Sequence, residues 1–331
     1  MKHGIYTLDD IPIEGKTVLC RVDINSPIDR ERGVLKDTTR IRFCVPTIEE
    51  LAARGAKVVL MAHQGGDLEY QNFTSTEPHA KVLSELMGRP VEFIDDVCGP
   101  AARERITNLK CGEVLLLDNV RFMSEEMTLF ETKLKLSPEQ QAKTLVVRKL
   151  APLADFYICD AFAAVHRSQP TLVGFQEVLP SAMGRLFERE LSALTQVRET
   201  PERPCIYVLG GAKIQDAFLM MGAVLADGAA DKVLTGGLVS NIMLVARGSD
   251  IGSTSQDFLY ANNLGEYIKV AGEILDKFAN RVLLPVDLAY VDETGRHEVR
   301  VDELPAPGLL VDIGHRTVEQ YRKEIAQAKT I

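Results

Sequence analysis

The chain has 331 residues, 46% of them hydrophobic and 26% charged, and it shows no low-complexity tract or internal repeat; that length and composition point to a globular protein of two domains and exclude a disordered or fibrous one. A net charge of −9 argues against the broad basic footprint of nucleic-acid binders, so no nucleic-acid partner is expected. The opening MKHGIYTLDDIP has no apolar signal-peptide core, and no later run approaches the length of a membrane span. A cytoplasmic protein without a membrane partner is therefore expected. Its six cysteines, Cys20, Cys44, Cys98, Cys111, Cys159 and Cys205, are scattered and form no C-x-x-C pair. Reduced thiols, mostly buried, are expected, with no metal site built from side chains.

In chain order, the apolar run from Thr17 to Val22 predicts a first strand, ending in LCRVDINSP. Alternation there sets Arg21, Asp23 and Asn25 on one face at the strand's carboxyl end, where ligands sit in open α/β sheets. The plain alternative is a surface ion pair. A helix is expected from near Asp37 or Thr38, with Arg40 at its amino end, Pro46 kinking or breaking it, and Gly55 stopping it. Residues 56 to 62 form a second apolar strand that runs into His63, Gln64 and two glycines. Helices over 77 to 87 and 100 to 109 alternate with strands over 91 to 94 and 114 to 117, and the latter opens into Asp118, Asn119 and Arg121. Ser137 and Pro138 read as the N-cap and first residue of a helix running toward Leu150. A strand over 156 to 159 then leads into DAFAAVHR, with Arg167 just beyond it.

Strands alternating with helices imply a parallel sheet covered on both faces, so these loops share one edge. Arg21, Arg40, His63, Arg121 and Arg167 converge there from distant segments. Singly each is an ordinary arginine or a core histidine; together they fit a polyanionic small molecule, because the guanidinium fork suits carboxylate and phosphate oxygens.

Residues 181 to 195 place Met183, Leu186, Leu191 and Leu194 on one helical face and predict an interdomain helix. A strand over 205 to 209 meets Gly210, Gly211, Ala212 and Lys213, followed by a helix to about 226. Those glycines allow close approach of a phosphate that the lysine can reach, or a tight turn needed only for packing. Neither a Walker loop nor a dinucleotide fingerprint is present, which speaks against a nicotinamide-dependent dehydrogenase. Further strands are expected over 233 to 235, 282 to 284 and 309 to 313, with a final amphipathic helix over 316 to 329.

With these blocks assembled, the sequence resembles phosphoglycerate kinase, and most of all the archaeal type. LCRVDINSP, DTTRIRFCVPTI, VLMAHQGG, LLLDNVRF, CDAFAAVHR, LGGAKIQDA, TGGLVSN and LLPVD are similar to family blocks, in the family's order. The resemblance implies two Rossmann-like parallel-sheet domains joined by a hinge helix, the second incomplete at its carboxyl end. The boundaries are 1–180 for a 3-phosphoglycerate domain, 181–198 for the helix and 199–331 for a nucleotide domain. It implies a monomeric glycolytic and gluconeogenic phosphotransferase that uses Mg²⁺ with ATP or ADP, closing to bring its substrates together. Asp23, Asn25, Arg40, His63, Arg121 and Arg167 would hold 3-phosphoglycerate, with Arg21 in support. Lys213 would contact the transferring phosphoryl group and act with Arg40 in catalysis. Gly210, Gly211, Ala212 and Gly237 would form the nucleotide floor.

The sequence also departs from the family. Gly66 stands where relatives often have an arginine, Ala217 where bacterial and eukaryotic relatives have a lysine, and Leu238 where many have a third glycine. The family continues past AKTI into N-G-P and G-G-G segments that hold ribose and metal. A truncated or proteolysed product, or an omitted tail, is expected ahead of a degenerate phosphoglycerate-binding homologue.

Overall fold

A computed structural model describes residues 1–29, 31–65 and 73–331. The chain divides into two compact units, Met1–Ala193 and Leu194–Ile331.

The first unit is built on six parallel strands. β1 (Thr17–Arg21) lies at the centre; β2 (Ile28–Asp29) and β3 (Val34–Leu35) form a small antiparallel pair beyond it; β4 (Lys57–Met61), β5 (Glu92–Ile94), β6 (Val114–Leu117), β7 (Phe156–Cys159) and β8 (Ser181–Met183) complete the sheet in the order β5-β6-β4-β1-β7-β8. Arg21 is level with Met61 on one side and with Cys159 on the other. The residues that follow β1, β4 and β7 therefore emerge at one edge.

Alternate strand residues feed two separate cores. Val18, Cys20, Val58, Leu60, Leu116 and Ile158 pack against Ile41, Cys44, Ile48 and Leu51 of α1 (Thr39–Ala53) and against Ala80 and Leu83 of α2 (Glu77–Met87). Leu19, Val59, Met61, Leu115 and Leu117 face Ala102 and Ile106 of α3 (Pro100–Thr107). Burying one such side chain stabilises the fold by roughly 1.5–3 kcal/mol, and the two-sided burial explains strand sequences that are apolar throughout.

Three local expectations are corrected. Pro46 does not break α1: Pro46 and Arg42 are both exposed, so water can bond the Arg42 carbonyl left without its amide partner. The helix expected over 138 to 150 is divided. After α4 (Thr128–Leu134), Ser137 caps α5 (Pro138–Gln141) in a capping box with Gln140. The chain then turns and restarts as α6 (Leu145–Leu150), whose first amide, that of Leu145, donates to both oxygens of the Glu125 carboxylate at 2.9 Å, with the Val146 amide at 3.3 Å. Residues 181 to 183 pair with β7 as a strand, and the helix, α7 (Arg185–Glu199), starts only after Gly184.

In the second unit, β9 (Ile206–Leu209), β10 (Lys232–Thr235) and β11 (Val282–Leu283) form a parallel sheet in the order β11-β10-β9. Helices α8 (Ile214–Ala226), α9 (Gly237–Ala246), α10 (Ser253–Ala261) and α11 (Tyr267–Phe278) intervene. The strand expected at 309 to 313 exists, but outside that sheet. β12 (Asp287–Asp292), β13 (Gly295–Arg300) and β14 (Leu309–Ile313) form an antiparallel sheet in the order β13-β12-β14. α12 (His315–Gln327) ends the element order, its first turn held by buried Asp287, which accepts from the amides of Arg316 (2.9 Å) and Thr317 (2.8 Å) and from the Thr317 hydroxyl (2.5 Å).

Among the cysteines only Cys111 is exposed; Cys20, Cys44, Cys98 and Cys205 are buried and Cys159 is partly so. Burial raises the thiols of Cys20 and Cys44 well above the ordinary range. No helix among the described residues is long and apolar enough to cross a membrane.

Candidate functional site

The edge formed by the carboxyl ends of the first unit's strands collects the predicted cations. Arg21, the last residue of β1, is completely buried. Its Nη1 donates to the Val22 carbonyl (2.7 Å), its Nε to the Thr171 hydroxyl (3.0 Å), and its Nη2 meets His63 Nδ1 at 3.1 Å. A guanidinium only donates, so Nδ1 accepts and the His63 proton sits on Nε2. Burial first, and then the charges of Arg21, Arg121, Arg40 and Arg167, hold the His63 pKa well below its usual 6.5. His63 is thus a neutral hydrogen-bond donor set among four cations.

Asp23, 5% exposed, binds Arg40 of α1, with Nη1 at 3.2 Å from Oδ2. The same carboxylate accepts the Asn25 amide at 3.3 Å, while Asn25 Oδ1 accepts from the Gly65 amide at 3.1 Å. Arg121 is buried and donates to the Gly65 carbonyl. Arg167 faces Glu131 across 3.7 Å. A cavity of about 150 Å³ opens beside Asp23 and Arg40, walled by Phe43, Phe162 and Leu186.

Several residues that the sequence reading did not single out fix these loops. Asn119 Oδ1 accepts from the amides of Gln64 and Arg121, each at 3.1 Å, and its Nδ2 donates to the Gln64 carbonyl at 2.8 Å. One side chain therefore fastens the loop after β4 to the loop after β6. Gln64 in turn accepts from the Ser26 amide (3.0 Å) and lies 2.9 Å from His79 Nε2. Glu126, fully buried, accepts from the Thr171 amide (2.6 Å) and hydroxyl (2.9 Å). Burial raises its pKa to about 7, with the Arg21 charge pulling the other way. Gln64 has a sequence signal, since it follows the histidine in a strand-end loop; Glu126 and Thr171 meet only in three dimensions. Gly66 lies outside the described residues.

The second unit presents a different chemistry. β9 runs into Gly210 and Gly211, the latter at φ +88°, and Lys213 immediately precedes α8. β10 runs into Gly236 and Gly237, the latter at φ +54°, where α9 begins. The two turns nearly touch. A Cβ on Gly210 would stand 3.1 Å from the Gly236 carbonyl oxygen, and one on Gly237 would stand 3.5 Å from the Gly211 nitrogen. Two helix amino termini thus open beside bare backbone and an exposed lysine, a donor set suited to phosphate oxygens. Ala217 turns into the α8 core and Leu238 packs against the same core, which leaves that floor unobstructed. No group of three His, Cys, Asp or Glu side chains able to hold a metal occurs among the described residues. The donors at this edge fit anionic phosphates and not a cation.

A protein-family model described as phosphoglycerate kinase matches residues 8–331. The chain belongs to the phosphoglycerate kinase family. It is 48% identical over 325 residues to the phosphoglycerate kinase of Methanothermobacter thermautotrophicus, covering 98% of this chain and 77% of that one. The Thermococcus kodakarensis phosphoglycerate kinase is 43% identical, with 99% and 78% covered. The crystal structure of phosphoglycerate kinase from Pyrococcus horikoshii OT3 superposes with a TM-score of 0.88 at 41% identity, covering 99% of this chain and 80% of that one. The phosphoglycerate kinase from Coxiella burnetii gives 0.75 at 26% identity, with 99% and 79% covered. The resemblance to archaeal phosphoglycerate kinases is thereby confirmed, and this kinase is a nucleotide-dependent glycolytic phosphotransferase acting on small molecules.

Proposed function

We propose that the strand-end edge of the first unit holds 3-phosphoglycerate and that the paired glycine turns of the second hold ATP or ADP. The supporting observation is the collection of Arg21, Arg40, His63, Arg121 and Arg167 around one sheet edge, with His63 kept neutral and its Nε2–H available to an oxygen anion. Asp23 and Asn25 suit a hydroxyl, while Arg40, Arg121 and Arg167 suit carboxylate and phosphate. Gly210, Gly211, Ala212, Lys213 and Gly237 form the nucleotide side. Residues 1–184, which include strand β8, are assigned to the acceptor domain, α7 (Arg185–Glu199) to the connecting helix and residues 200–331 to the nucleotide domain. The kinase acts as a cytoplasmic monomer.

In the ATP-consuming direction a carboxylate oxygen of 3-phosphoglycerate attacks the γ-phosphorus in line. The new O–P bond forms as the bond to the β-phosphate oxygen breaks, and ADP leaves. The nucleophile is already ionised, so no base is required. Catalysis consists of positioning and of neutralising the transferring oxygens, the roles of Arg40 and Lys213. Mg²⁺ would arrive with the nucleotide phosphates and would supply shielding of their charge. No side chain of this kinase is assigned to it.

The test is a coupled assay of phosphoryl transfer from MgATP to 3-phosphoglycerate, with the intact mass measured on the same sample. Wild-type activity at the mass of the 331 residues, together with a loss of at least about 10²-fold in Lys213→Ala, supports the proposal. Saturable 3-phosphoglycerate binding without nucleotide binding or turnover at that mass refutes the nucleotide half.

A further inference from the structure

Arg21 is a buried cation with an unusual setting. Among the described residues no carboxylate touches it; its partners are a backbone carbonyl, the Thr171 hydroxyl and His63. Glu126 is a buried carboxyl group in the complementary position, with burial raising its pKa to about 7. Both of its oxygens bind Thr171, and no cation touches it among the described residues. Each charge alone would carry a desolvation cost of several kcal/mol. A single hydroxyl joins them: Thr171 Oγ1 accepts from Arg21 Nε and donates to Glu126 Oε2.

The direction of these bonds matters. Ionised Glu126 accepts the hydrogen bond from the Thr171 hydroxyl, which turns the oxygen lone pairs toward Arg21 Nε. The guanidinium plane is then fixed at Nε and at the Val22 carbonyl, and Nη2 is left aimed at His63 Nδ1. That contact decides which imidazole nitrogen carries the proton. The Tyr157 hydroxyl, donating to the Thr171 carbonyl at 2.7 Å, anchors the relay from the other side.

We propose that Glu126 is a positioning residue of the acceptor site, acting through Thr171 and Arg21 to hold His63 as the Nε2–H tautomer that donates to 3-phosphoglycerate. The inference rests on the proposed acceptor site. An apolar or neutral residue would fill the Glu126 position at lower desolvation cost, but it would not orient the hydroxyl. The substitution Glu126→Gln keeps the volume, yet the amide NH₂ it introduces would meet the Thr171 amide as an opposing donor or the hydroxyl as a donor in place of an acceptor, so the hydroxyl direction is no longer fixed.

The experiment is long-range ¹H–¹⁵N spectroscopy of the His63 imidazole, assigned by difference from His63→Asn, with Michaelis constants measured on the same proteins. Wild type, Thr171→Val, Glu126→Gln and Thr171→Ser are compared, with and without 3-phosphoglycerate. Wild type and Thr171→Ser are expected to show the single Nε2–H tautomer. In Thr171→Val and Glu126→Gln a tautomer mixture is expected, with KM for 3-phosphoglycerate raised about tenfold and KM for nucleotide unchanged. A folded Thr171→Val or Glu126→Gln protein that keeps the wild-type tautomer and KM overturns the inference. Should the wild-type His63 signals fail to move on adding 3-phosphoglycerate, the acceptor-site reading falls, and the inference with it. If they move in wild type and identically in both variants, the inference alone falls.

Discussion

Replacing Arg40 with alanine examines the charge logic of the acceptor site most directly. In the native site the Arg40–Asp23 pair is close to neutral, with Nη1 3.2 Å from Oδ2. Arg40→Ala removes a positive charge and leaves a carboxylate that is 5% exposed facing the anionic substrate of the proposed acceptor site. The Arg40 side chain is half exposed, so solvent screens it and an effective dielectric of about 20 applies; one unit charge at about 5 Å from the reacting oxygens is then worth about 3 kcal/mol, or roughly 10²-fold in rate. Steady-state turnover in the coupled assay should fall by about that factor, most steeply at low ionic strength. Adding Asp23→Asn should recover about tenfold of the loss, because the unmatched carboxylate is gone while an acceptor oxygen remains. Arg40→Lys, which keeps charge but not the fork, should fall between. Turnover in Arg40→Ala within about threefold of wild type at low salt would refute the reasoning.

Two further predictions concern stability. Asp287→Ala strips the acceptor from three donors at the start of α12 and should destabilise the second unit by about 2–4 kcal/mol in urea unfolding. Burial opposes ionisation of Asp287, but the Thr317 hydroxyl and the amides of Thr317 and Arg316 win and lower its pKa; its contribution is therefore complete above about pH 4 and is lost as pH falls through the folded value. An unfolding midpoint unchanged at neutral pH would contradict this. Asp160 behaves oppositely: burial raises it to about 6, against the Phe187 amide that it accepts at 3.0 Å. A raised acid is stabilising below its unfolded pKa, and that contribution disappears as pH rises through about 6. Relative to wild type, Asp160→Asn should gain up to about 3 kcal/mol between pH 4 and pH 7.5. A wild-type-minus-variant difference identical at both pH values would remove the argument.

The first unit was largely legible because its strands are buried on both faces and end abruptly in polar loops, so run length alone located β1 (Thr17–Arg21), β4 (Lys57–Met61) and β6 (Val114–Leu117). The division of 138 to 150 was not legible, since the Glu125 carboxylate that restarts α6 arrives from 20 residues away. The antiparallel sheet of the second unit was missed for a different reason. β13 alternates half-buried and exposed positions and reads GRHEVR, a string whose charge hides its period of two. Among the residues that the structure gathers at this edge, those ending a predicted strand or opening the following helix were legible in the sequence. Glu126 and Thr171 were not, because their pairing spans 45 residues and neither belongs to a strand-end motif.

The distribution of thiols gives this protein a built-in reporter of opening. Cys111 should react at once with a maleimide, while Cys20 and Cys44 are closed in the first unit and Cys205 in the second. Cys20 and Cys44 are doubly protected, by exclusion and by thiols held in the unreactive protonated form. Timed alkylation followed by peptide mass spectrometry therefore dates the unfolding of each half of the chain separately, with no label to introduce.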